Sequence, residues 1–143
     1  IMSNILKVKK LDPLAIIPTK AHDTDTGWDL YATAIERCST SPIIVCSTGI
    51  AIELPDGYGA KIRDRSSMGK RGYKVVGGIV DQNYRGECLV MLAKLNTWSS
   101  DFPKPGEKVA QLLIEKREDF VVVEVDELSK TDRGEKGFGS SGK

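Results

Sequence analysis

The sequence is poor in the side chains that most often carry nucleophilic or metal chemistry. It has one histidine, His22, and three cysteines, Cys38, Cys46 and Cys88. No two cysteines show C-x-x-C spacing, so a Cys/His zinc site is not expected, and an odd count does not build a secreted disulfide framework. A reducing compartment is expected instead, with His22 and the cysteines in structural roles. Ser-His-Asp or Cys-His catalysis would rest on His22 alone, and there is no G-x-S-x-G elbow. Charge of one sign is also missing: 21 Lys+Arg stand against 20 Asp+Glu, a net of +1. That argues against a protein that coats nucleic acid, but leaves room for a local cluster that takes a small anion. The longest uncharged run, Cys38 to Ile52, is too short and too rich in Ser and Thr to span a bilayer. The N-terminus carries no secretion signal, and no segment sustains a 3.6-residue apolar period.

What the 143 residues do contain is a series of short β-prone runs between turn signals. Turns are expected at Asp12-Pro13, Asp25-Thr26-Gly27, Pro55-Asp56-Gly57, Gly77-Gly78, Asp81-Gln82-Asn83 and Pro103-Lys104-Pro105-Gly106. Strands are expected within Ile43–Val45, Gly49–Leu54, Ala60–Arg63, Tyr73–Val80, Glu87–Leu95, Lys108–Glu115 and Phe120–Val125. Alternation as in Ile50-Ala51-Ile52-Glu53-Leu54 and Val123-Glu124-Val125 has the period of a half-buried strand. One short helical turn fits Ser66 to Lys70, with a Ser as its cap. Many short strands in one domain-sized chain read as an all-β sandwich, jelly roll or small barrel. From Ser129 the chain turns Gly-, Ser- and charge-rich, and only Phe138 offers much surface to bury, so this part is expected to be a mobile arm.

Five stretches carry chemistry-bearing residues. The tail Gly137-Phe138-Gly139-Ser140-Ser141-Gly142-Lys143 satisfies G-x-G-x-x-G. No strand–helix frame surrounds it, so a Rossmann or Walker site is not expected. Its glycines, with Arg133 upstream and two hydroxyls, still suit an anion, and a solubilising tail is the plain alternative. Asp64-Arg65-Ser66-Ser67-Met68-Gly69 combines a guanidinium fork with two hydroxyls, a phosphate cradle or simply a capped helix. In Gly77-Gly78-Ile79-Val80-Asp81-Gln82-Asn83-Tyr84-Arg85-Gly86, Asp81 is either a general base at the mouth of a hairpin or a turn initiator. Gln111 interrupts an apolar strand and must find a backbone or ligand partner. Asp29 is embedded in the apolar strand around Trp28-Asp29-Leu30-Tyr31.

Read in order, these stretches resemble the five motifs of the homotrimeric deoxyuridine triphosphate nucleotidohydrolases (dUTPases), and the match runs from Thr26 to Gly142. The usual Arg-Ser-Gly-Leu is here Arg65-Ser66-Ser67-Met68. The Gly-Val-Ile-Asp and Tyr-x-Gly pair is Gly78-Ile79-Val80-Asp81 and Tyr84-Arg85-Gly86. The last motif is Arg133-Gly134 followed by Gly137-Phe138-Gly139-Ser140-Ser141-Gly142. The resemblance implies an all-β, jelly-roll (β-clip) subunit with one short helix. Residues 1–128 would form the β domain, and residues 129–143 an arm that closes over a neighbouring subunit's active site in a homotrimer.

By the same resemblance, Asp81 orients and deprotonates the water that attacks the α-phosphorus of dUTP, giving dUMP and pyrophosphate. That reaction limits uracil incorporation into DNA and supplies dUMP. Arg65, Ser66, Ser67 and Gln111 meet the phosphates, and Arg133, Gly139 and Ser140 do so from the arm. Phe138 covers the uracil, which is read by backbone around Gly78, Ile79, Val80 and Asp81. Tyr84 packs on the deoxyribose and leaves no room for a 2′-hydroxyl. Asp29 supports the site, and Asp64 is expected to orient Arg65. Mg²⁺ is implied as the cofactor, held mainly by the triphosphate and water, with no protein metal site. The location implied is intracellular, cytoplasm or nucleus, with no membrane and no direct nucleic-acid contact.

A dCTP deaminase shares this fold and an Arg-Ser-Ser. It needs a glutamate on the strand after the hairpin, where this chain has Met91. A nucleotide-sensing module that binds a protein partner is the other alternative.

Overall fold

The computed structural model of the chain describes residues 4–142, so Lys143 of the tail motif lies outside the described residues. Ten strands and one helix follow in chain order. They are β1 (Lys7–Lys10), β2 (Trp28–Tyr31), β3 (Ala34–Arg37), β4 (Ile43–Ser47), β5 (Ile50–Glu53), β6 (Tyr58–Arg63), α1 (Ser66–Lys70), β7 (Tyr73–Val75), β8 (Ile79–Val80), β9 (Leu89–Lys94) and β10 (Lys108–Lys116). Two four-stranded sheets, ordered β2-β10-β6-β8 and β3-β4-β9-β7, are joined by the β1-β5 pair. Every pairing is antiparallel. This is the jelly-roll form of the all-β architecture.

Between the sheets lie the inward residues of both: Leu30, Ile62, Ala110 and Leu112 from one, Ile44, Cys46, Val90 and Leu92 from the other. Strands β4 and β9 alternate buried with less buried positions along most of their length, although Ile43-Ile44-Val45-Cys46 and Leu89-Val90-Met91-Leu92 are apolar on both faces. Strand β5 does not, because Ile50, Ala51 and Ile52 are all buried. The chain covers both of its faces, and alternation could not show that.

Two expected elements change. The Tyr73–Val80 run is split by Gly77-Gly78 into β7 and β8, which belong to different sheets. The break is forced at Gly78: φ is +100°, and a Cβ there would press into the carbonyl oxygen of Ile62. Ile62 N–H in turn donates to Gly78 O at 2.6 Å, so β6 docks directly on this glycine. Phe120–Val125, expected as a strand, pairs with nothing among the described residues. Phe120, Val121 and Val122 are more than four-fifths exposed.

Candidate active site

The phosphate-type residues converge where β6 runs into α1. Arg65 is the N-cap residue of α1 and holds extended backbone with no side-chain cap. The expected Ser cap is therefore absent: both serines sit inside the first turn. Arg65 Nε donates to Asp29 Oδ1 at 2.9 Å, and its Nη1 donates to Ser67 Oγ at 3.1 Å. Asp29 projects from β2, which pairs with β10, and its Oδ2 takes Lys108 Nζ at 3.1 Å. Register places Gln111 opposite both Asp29 on β2 and Arg63 at the end of β6, two residues before Arg65, so β10 lies between the strand that carries Asp29 and the strand that leads to Arg65. Gln111 Nε2 donates to Asp64 O at 2.7 Å, the backbone partner that a half-buried amide requires.

Asp64 does not orient Arg65. Its carboxylate accepts from Lys74 Nζ and from Val75 N–H, both at 2.6 Å. Burial pushes this carboxyl up, but those two hydrogen bonds and the Lys74 charge outweigh it, and the group is held below its ordinary range. Asp29 takes the orienting role, and Lys108 joins the cluster unforeseen. Only the register of β10, which sets Lys108 opposite Tyr31 at the end of β2, reveals it. A carboxylate that fixes one guanidinium edge leaves the other donors of the fork aimed at an anion. Asp29→Ala removes that tether and should lower kcat/KM roughly tenfold. Steady-state kinetics check it, and an unchanged kcat/KM contradicts the tether.

The second group is the hairpin after β8. This two-residue strand lies at the edge of its sheet, with one side paired to β6 and the other open. Asp81 follows directly, is exposed, and closes a turn in which Tyr84 N–H donates to Asp81 O at 3.1 Å. Among the described residues no hydrogen bond or ion pair occupies its carboxylate, unlike those of Asp29 and Asp64. A cleft of about 540 Å³ beside it is lined by Gly59, Lys61, Ile79, Asp81 and Arg117 among others. Tyr84 folds back with its hydroxyl on Glu87 O at 3.0 Å. A Cβ on Gly86 would overlap the Tyr84 ring, so glycine at this position is what lets the ring lie flat.

The third group, Arg133, Phe138, Gly139 and Ser140, is far from being packed on either. Its hydrogen bonds stay local, such as Arg133 Nε to Lys136 O at 2.9 Å, and Phe138 is fully exposed. The first two groups are also separate within the chain. β6 pairs Ala60 with Val80, which puts Arg65 and Asp81 about six extended residues apart, or roughly 20 Å.

Among the described residues no three His, Cys, Asp or Glu side chains gather to hold a metal ion, and no helix is long and apolar enough to cross a membrane. Of the cysteines, burial pushes Cys46 up to about 12 and Cys88 up to about 11, in keeping with structural roles. Cys38 differs: it is exposed, and hydrogen bonds from Thr40 and Ser41 lower it to about 7.

The class of protein is an antiparallel β-sandwich that carries a fixed Arg–hydroxyl–carboxamide cluster and a free carboxylate on a sheet-edge hairpin. Comparison narrows it: a dUTPase family model matches residues 14–142, and the chain belongs to the dUTPase family. A deoxyuridine 5'-triphosphate nucleotidohydrolase of Thermobifida fusca is 41% identical over 140 residues, covering 96% of this chain and 78% of that protein. One from Arabidopsis thaliana is 39% identical, covering 98% and 84%. In structure, the dUTPase of Staphylococcus bacteriophage 80alpha solved with dUPNHPP superposes with a TM-score of 0.83 at 27% identity, covering 98% and 99%. A mutant dUTPase of phage phi11 of S. aureus, whose structure concerns coordination of a structural Mg(II) ion, shares the fold with a TM-score of 0.73 at 22% identity, covering 87% and 98%.

Proposed function

We propose that the chain hydrolyses dUTP to dUMP and pyrophosphate, with Asp81 as the base that activates the attacking water. The observation that carries this is the presence, in one chain of the dUTPase family, of both a free Asp81 carboxylate at the hairpin and a tethered Arg65 cluster. Little covalent chemistry is asked of the protein in phosphoryl transfer, so placing the water in line and neutralising charge carry most of the work. Asp81 takes the proton of the water. Arg65, Ser66, Ser67 and Gln111 bind the phosphates, with Lys108 adding charge beside them.

The open edge of β8 offers backbone donors and acceptors to a uracil edge, as a neighbouring strand would. A 5-methyl group or an exocyclic amine fits that edge poorly. Tyr84 stacks on the deoxyribose. The arm supplies Arg133, Gly139 and Ser140 to the far phosphate, while Phe138 covers the base and keeps water out. Mg²⁺ travels with the substrate, since this hard cation keeps phosphate and water oxygens as ligands, and there it neutralises phosphate charge.

The roughly 20 Å between Arg65 and Asp81 supports a site shared between copies, as does an arm with no seat on its own domain. The assembly proposed is a homotrimer of β domains (1–128), each lending its arm (129–143) to a neighbour. Three free cysteines suit an intracellular, reducing location, cytoplasmic or nuclear.

Pyrophosphate release with Mg²⁺ present tests the reading. It should be fast with dUTP and slow with UTP and dCTP, whereas ammonia release from dCTP would overturn it. Gly86→Ala, which displaces the Tyr84 ring, should narrow the gap between dUTP and UTP by roughly tenfold or more. An unchanged gap contradicts the steric role of Tyr84.

A further inference from the structure

Gln82 lies in the hairpin turn between Asp81 and Tyr84, and the mechanism above gives its side chain nothing to do. It is not a residue that turns select for their own local hydrogen bonding. Its carboxamide is nevertheless half-buried and engaged by partners far away in sequence. Oε1 accepts from Gly57 N–H at 2.9 Å and from Arg117 Nη1 at 2.8 Å, while Nε2 donates to Asp56 Oδ1 at 2.9 Å. These partners are 25, 35 and 26 residues distant along the chain. The backbone of the same residue is held as well, because Arg85 Nη1 donates to Gln82 O at 2.7 Å.

The clasp ties three elements together. Asp56 and Gly57 form the turn before β6, and Arg117 is the residue at which the chain leaves β10. Arg117 is itself anchored, since its N–H donates to Gly57 O at 2.7 Å. The bond from the Arg117 guanidinium is charge-assisted, stronger than a neutral one. A rotation of the backbone at Gln82 swings Asp81 on one side and Tyr84 on the other. Three hydrogen bonds from its side chain therefore restrain the backbone from which the Asp81 carboxylate projects.

We propose that Gln82 is a positioning residue, which holds the turn so that Asp81 presents its carboxylate to the attacking water. This rests on the reading of Asp81 as the base, and the test separates the two. Steady-state dUTP hydrolysis with Mg²⁺ is measured for the full chain, for Gln82→Met, for Asp81→Asn and for the double variant. Gln82→Met keeps the length and removes every hydrogen bond of the carboxamide, while the backbone carbonyl still accepts from Arg85. It should lower kcat about 10- to 100-fold, with KM changed less than about threefold. In the Asp81→Asn background the same substitution should change the residual rate less than about twofold, because the group it aims is gone.

Gln82→Glu keeps the acceptor for Gly57 and Arg117 but faces Asp56 with a second carboxylate. Adding Asp56→Asn restores a donor there and should recover most of kcat relative to Gln82→Glu alone. Near-normal kcat in Gln82→Met with an inactive Asp81→Asn overturns the positioning role and leaves the base in place. Near-normal turnover in Asp81→Asn overturns the base and this role with it. Equal losses in both backgrounds reduce Gln82 to a structural residue. If Gln82→Met does not fold, the Glu/Asn pair decides, and failure to recover kcat overturns the proposal.

Discussion

Asp81→Asn is expected to lower kcat for dUTP by about 10²–10⁴-fold, the usual contribution of a positioned general base, while KM stays nearly unchanged. The change is nearly isosteric, and Asp81's structural duty is carried by its backbone carbonyl, which accepts from Tyr84 N–H. The turn should therefore survive, and only the proton acceptor is lost. Asp29 and Asp64 cannot replace it, because each is held in ion pairs. Single-turnover kinetics together with equilibrium binding of dUTP separate the two effects. Turnover within a few-fold of the wild type means that another group takes the proton.

Ending the chain at Asp132 should have an effect of similar size, for a different reason. The deletion removes Arg133, Phe138, Gly139 and Ser140 together, and with them the phosphate contacts and base cover proposed for the arm. A loss of about 100-fold or more in kcat/KM is expected, as a misplaced or unshielded reacting group costs that much. The folded domain should not notice the loss. Residues 133–142 bury nothing and form only local hydrogen bonds. The thermal unfolding midpoint should move by less than about 2 °C, and light scattering behind size exclusion should return the mass of an undissociated assembly. Full activity removes the arm from the mechanism, and a smaller mass makes it an assembly element.

Strands β4 and β9 were legible in sequence as short β-prone runs between turn signals, but which of their positions enter the core was not, because nearly every position in them is apolar. Strands β1 and β3 were not legible. Lys-Val-Lys-Lys and Ala-Ile-Glu-Arg sit at sheet margins, where one or two apolar residues suffice and pairing, not burial, keeps them extended. Phe120–Val125 misled in the opposite direction: its composition is that of a strand, but a strand also needs a partner. In the site, the motif residues could be named from their order alone. Their connections could not. Asp29 to Arg65, Asp64 to Lys74 and Gln82 to Arg117 each join residues brought together by sheet register, which residue identity does not disclose.

The bare Phe120–Val125 stretch bears on how the protein survives its own synthesis. Three consecutive valines after a phenylalanine, all exposed, make a short segment with the composition that stacks between chains into cross-β fibrils. The sequence brackets it with Glu118 and Asp119 before and Glu124, Asp126 and Glu127 around its end. Such charges act as gatekeepers, because stacking the same segment in register would pile like charges at every layer. The acidic residues around Phe120–Val125 thus oppose the stacking of this uncovered segment on copies of itself.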